Sequence, residues 1–129
     1  MRYAETDQMG VVYHANYIVW MEVGRVEAMR AAGVDYAQME REGVVVAVVG
    51  VEVDYRVAAR YDEVVEVGVR VTEVLSRKMR IEYEIRRATD GMVLATGATR
   101  HLFVSKELRP MRCPDKYLDV FRGKRLTEN

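Results

Sequence analysis

YIVWMEVGRVEAMRAAG, residues Tyr17 to Gly33, is the stretch on which the fold turns. Tyr17, Trp20, Met21, Gly24, Ala28 and Ala31 recur at three- and four-residue steps and line up as one stripe of a helix. Ile18, Val19, Val23 and Val26 widen that stripe well beyond an ordinary amphipathic face. A helix this apolar is expected to be largely wrapped by protein. Gly33 is a natural stop, and Asp35 is placed to cap a further short turn near Tyr36–Glu42.

Past Gly43 the period drops from 3.6 to two. Val49, Val51, Val53, Tyr55 and Val57 alternate with Glu52, Asp54 and Arg56. Val65, Val67, Val69 and Val71 do the same with Glu66, Arg70 and Thr72, as do Met79, Ile81, Tyr83 and Ile85 with their charged neighbours. Each reads as a strand with one dry face and one wet face. Thr89-Asp90-Gly91 marks a hairpin turn, after which a strand is expected from about Met92 to Val104. Its small residues Ala95, Gly97 and Ala98 would let another element, the helix, come close. Pro114 suits the first turn of a terminal helix ending near Gly123. With a short strand before the helix, the order is one strand, a long helix and four strands. The expectation is a single α+β domain over residues 1–129, a long helix against a curved, mostly antiparallel five-stranded sheet.

Composition agrees with a globular domain and narrows its partners. At 129 residues, half of them hydrophobic, the chain can bury a core without metal or disulfide. Twenty basic residues balance twenty acidic ones, so no global field favours nucleic acid. The single Cys113 has no cysteine partner, which points to a reducing compartment and against a zinc site. The opening MRYAETDQMG lacks the apolar run of a signal peptide, and the longest apolar run, Val44–Val49, cannot span a bilayer. A cytoplasmic protein without membrane insertion is expected.

The segment leading into the helix carries the candidate chemistry. ETDQMGVVYHANY, Glu5 to Tyr17, places an acid, a glycine and a histidine just ahead of the helix. Gly10 allows a tight turn or a close approach by ligand. His14 and Asn16 fall where backbone N–H groups lack intrahelical partners, a site able to hold an oxyanion. On residue types alone, Asp7 is better explained by a turn or a cap, His14 by a helix start or the core, and Tyr17 and Trp20 by packing.

Tyr3 to Tyr17, Y-x-E-T-D-x-M-G-V-V-Y-H-A-N-Y, together with Met21–Arg25 (MEVGR), resembles the signature of hotdog-fold acyl-CoA thioesterases. The nearest group is the 4-hydroxybenzoyl-CoA thioesterase type, including the thioesterase associated with the Tol–Pal system. The resemblance implies hydrolysis of a thioester to a carboxylic acid and free coenzyme A. Asp7 matches the carboxylate that acts as nucleophile or general base. His14 matches the position whose backbone N–H polarises the carbonyl, with a side chain that can assist. Gly10, Tyr13, Tyr17 and Glu22 fall at substrate-side positions, Tyr17 supporting the loop and Glu22 near the acyl pocket. A Glu22–Arg25 pair is an equally good structural reading of that acid. Ser76-Arg77-Lys78 matches a basic turn that meets coenzyme A phosphates, and Arg109 falls near another such position. Family members have a longer first strand than Tyr3 allows here.

The resemblance also implies no metal and no cofactor beyond the coenzyme A of the substrate. It implies a dimer with sites at the subunit interface and, by pairing of dimers, a homotetramer. Two further readings belong beside hydrolysis: a non-catalytic acyl-CoA-binding module, and a dehydratase of 3-hydroxyacyl thioesters.

Overall fold

The structure, a computed structural model, describes residues 15–57, 59 and 63–123. Its elements in chain order are α1 (Ala15–Ala31), α2 (Tyr36–Arg41), β1 (Val45–Tyr55), β2 (Val65–Val74), β3 (Lys78–Arg87), β4 (Val93–Val104) and α3 (Asp115–Gly123). Helix α1 ends where Gly33 takes a φ of 96°. Val34 N–H then reaches back to Met29 O and Gly33 N–H to Arg30 O, satisfying carbonyls the helix leaves bare. Asp35 caps α2 as expected, its side chain accepting from Ala37 N at 2.9 Å.

All neighbouring strands are antiparallel, in the order β1-β4-β3-β2. Tight turns join β2 to β3 and β3 to β4, while the chain crosses from one edge to the other between β1 and β2. Helix α1 lies on the face carrying Met79, Ile81, Tyr83 and Ile85, all buried. Two glycines set how close it comes. A methyl group at Gly24 would sit 2.8 Å from Val67 Cγ1, and one at Gly97 would sit 2.8 Å from Met21 Sδ and 2.9 Å from Glu52 O. The small residue Gly97 in β4 thus admits the helix, as its sequence context implies. Phe121 of α3 stacks on Phe103 at 6.0 Å and closes the core at the far end.

Four strands lie among the described residues, and the short first strand expected ahead of the helix lies outside them. Two expectations need correction. The helix is not wrapped: Val23 is 51% exposed, and Ile18 and Val19 are also open. The sheet covers only the face of α1 that rests on β4 and β2. The valines of β1 do not all share one dry face either. Register jumps between Val48, opposite His101, and Gly50, opposite Arg100, so Val49 is an extra bulged residue. Val51 lies on the helix side but beyond the reach of α1, and it is 42% exposed.

Candidate functional site

The first turn of α1 is the described part of the expected site. Tyr17 is buried, and its Oη accepts the N–H of Ala59 at 2.9 Å, tying the β1–β2 connection to the helix start. Its ring meets Trp20 at 5.1 Å and Tyr55 edge-on at 5.0 Å. An α-helix leaves its first four N–H groups without intrahelical acceptors, so this turn presents donors and a positive dipole end. Asp7, Gly10, Tyr13 and His14 lie outside the described residues. Glu22 is exposed, and its charge adds to the burial that raises Tyr83. No ion pair joins Glu22 to Arg25 among the described residues. Arg25 instead influences Tyr36, Tyr83 and His101.

Those partners form a buried polar row that the sequence reading missed. Tyr83 Oη and Thr99 Oγ1 lie 2.6 Å apart, and Thr99 Oγ1 lies 2.6 Å from His101 Nε2. Burial, and then the charge of Arg25, depress His101 to a pKa of about 4. Burial raises Tyr36 and Tyr83. Neither His101 Nδ1 nor Tyr36 Oη has a hydrogen-bond partner among the described residues. The phase of β4 would have found this row: Ala95, Gly97, Thr99, His101 and Phe103 all fall on the helix-facing side.

Arg77, Lys78 and Arg109 all lie at the opposite end of the sheet. Leu75 N–H bonds to Lys78 O at 2.8 Å and closes the β2–β3 turn. Phe103 N–H bonds to Arg77 O and Cys113 N–H to Ser76 O, so this turn is stitched to the chain flanking Arg109. All three cations are exposed, and none forms an ion pair among the described residues. Tyr17 sits by Tyr55, whose partner in β4 is Ala95, whereas Lys78 pairs with Leu102. That is seven residues along β4, roughly 23 Å at about 3.3 Å per residue. One chain therefore holds the helix start and the basic turns apart.

The outer sheet face is a third polar region. A shallow bowl floored by Gly68, Thr96 and Ala98 is rimmed by charged side chains. Arg80 pairs with Glu52 and Glu82, and Arg86 with Glu66 and Glu84. These charges satisfy one another along β3 and across to β1 and β2, as on a solvated face. Among the described residues no cluster of His, Cys, Asp and Glu could hold a metal ion.

The comparisons with known proteins bear on the whole chain. Residues 1–121 match the model of the thioesterase-like superfamily. YneP of Bacillus subtilis (strain 168), whose name proposes an acyl-CoA thioesterase, is 39% identical over 107 residues, 83% of this chain and 77% of that one. The structure of TT1821 from Thermus thermophilus superposes with a TM-score of 0.88 at 41% identity, covering 95% of this chain and 93% of that one. The DHNA-CoA thioesterase of Staphylococcus aureus superposes at 0.89 with 31% identity, over 95% and 85%. The fold is hotdog-like α+β, and the chain belongs to the thioesterase-like superfamily.

Proposed function

We propose that this chain is an acyl-CoA thioesterase, hydrolysing R–CO–S–CoA to a carboxylic acid and free coenzyme A. The observation that carries the reading is the start of α1 at Ala15, directly after the segment holding Asp7, Gly10, Tyr13 and His14. N–H groups of the first helical turn, with that of His14, polarise the thioester carbonyl. Asp7 attacks the carbon or takes a proton from water. Loss of one such oxyanion donor costs about 3–4 kcal/mol in other enzymes, so the helix end supplies a large part of the rate. Tyr17 holds the neighbouring loop, and Tyr13 and Glu22 border the acyl group. The resemblance of Tyr3 to Tyr17 to the 4-hydroxybenzoyl-CoA thioesterase signature makes hydroxylated aromatic acyl groups the first to try.

The separation of the helix start from Arg77, Lys78 and Arg109 supports a site shared by two copies. Strand β1 is a sheet edge whose outward N–H and C=O groups are a template for pairing. Antiparallel pairing of two β1 strands about their middles sets Val45 of one copy against Tyr55 of the other. It thereby carries the basic turns of one chain toward the α1 start of its mate, and covers Val48 and Val51. The coenzyme A phosphates then rest on the second copy. Two such dimers make the homotetramer, the N-terminal segment supplies the fifth strand, and the enzyme works in the cytoplasm.

The test is release of free thiol from a panel of short-chain, medium-chain and aromatic acyl-CoAs. Turnover of at least one class is expected. Binding of acyl-CoA without thiol release from any class would leave a binding module instead.

A further inference from the structure

Leu108 is the odd residue at the basic end. It has a φ of 63°, the one positive value among the described non-glycine residues, and it is 72% exposed. Glycine, asparagine or aspartate fill such positions at lower cost, and a leucine there gains nothing from packing. Its turn is nonetheless firmly closed. Leu108 N–H bonds to Ser105 O, Ser105 N–H to Arg109 O, and Arg109 N–H to Ser105 Oγ. The side chain is therefore held out in water by a fixed backbone. On the β2–β3 turn Leu75 is 46% exposed, and that turn is bonded through Arg77 O to Phe103 N–H and through Ser76 O to Cys113 N–H, on either side of the Ser105–Arg109 turn. Around these leucines stand Arg77, Lys78, Lys106 and Arg109, all exposed and without an ion pair among the described residues. The two turns contain a single acid, Glu107. In a chain of zero net charge this is a local excess of positive charge beside two outward leucines.

We propose that this end of the sheet docks peripherally on an anionic lipid bilayer, with Leu108 and Leu75 entering the headgroup region and the cations facing its charge. A soluble polyphosphate would account for the cations, but it has no use for leucines pointed at solvent. A bilayer surface accounts for both, because basic residues gain from its negative potential and apolar tips from its acyl boundary. No helix among the described residues is long and apolar enough to cross a membrane. The proposal does not rest on thioester hydrolysis; where coenzyme A phosphates take Arg77, Lys78 and Arg109, Lys106 is the cation left facing the lipid.

The test is co-sedimentation of the full chain with vesicles of phosphatidylglycerol in phosphatidylcholine, and with phosphatidylcholine alone. Sedimentation is expected with the anionic vesicles only, and should weaken as salt screens the cations. Lys106→Gln should weaken it about fivefold, the equivalent of roughly 1 kcal/mol per cation at such a surface. Leu75→Ser with Leu108→Ser should weaken it roughly tenfold or more, given the apolar area removed. Both leucines are exposed, so an unchanged thermal midpoint will separate lost docking from lost folding. Failure of the wild type to sediment with anionic vesicles, equal sedimentation with neutral ones, or wild-type binding by the double variant would each overturn the proposal. So would a raised KM for a short-chain acyl-CoA in vesicle-free buffer with Leu108→Ser, since that assigns the leucine to substrate instead.

Discussion

His101 is 1% exposed, bonded through one ring nitrogen and bare at the other, an arrangement that only the neutral ring tolerates. The groups facing it are Thr99 on its own strand, Tyr83 of β3 through Thr99, and Arg25 of α1. Unfolded, the ring takes a proton near pH 6.5; folded, only near pH 4. Between these values the unfolded chain binds the extra proton, so stability falls as pH falls, and the full contribution is present above pH 6.5. The loss across that window is about 3 kcal/mol. His101→Asn should therefore flatten the pH dependence of denaturant unfolding between pH 4 and 6.5. An unchanged slope would show that the ring is not the group responsible. Glu42 adds to acid lability lower down, since bonds from Lys116, Tyr117 and Gln38 hold it to about 2.

Among the elements, α1 depends on two places where nothing larger than hydrogen fits. Gly97→Ala would press a methyl group on Met21 Sδ and on the carbonyl of Glu52, and the backbone contact cannot swing away. A loss of about 1–3 kcal/mol is expected in chemical denaturation, typical of overpacking. Met21→Ala in the same chain should relieve part of it; strictly additive losses would mean that the helix is not the obstacle. These elements were legible because local chemistry sets their ends: Gly33, the cap Asp35 and the Thr89-Asp90-Gly91 turn are all used as read. The β1 face was not, because Val48, Val49 and Val51 look alike in sequence. Only the partner strand reveals which valine is bulged. The basic turns posed the same difficulty. Arg77 and Ser76 are bonded to Phe103 and Cys113, which flank Arg109 far along the chain, a proximity no periodicity encodes.

At the scale of the whole molecule, the sheet order of the described residues leaves β1 as an edge, with Val48 and Val51 exposed. Val51→Lys, which puts a charge on that face, should shift the oligomer toward monomer in light scattering. An unchanged mass would place the interface elsewhere. Pairing also predicts complementation. A chain with Asp7→Asn and a chain with Arg77→Glu and Lys78→Glu, each impaired alone, should regain turnover when unfolded and refolded together. Each would lend the other its intact half. No recovery, with mixed oligomers demonstrated, would mean that both halves of the site come from one chain.

The most direct measurement follows thiol release from a turned-over acyl-CoA by wild type and Asp7→Asn, with binding measured in parallel by calorimetry. Asp7→Asn is expected to keep its affinity and its fold while thiol release drops by a factor of about a hundred or more, the scale of a lost acid–base or nucleophilic group. Hydrolysis by Asp7→Asn at the wild-type rate would contradict it.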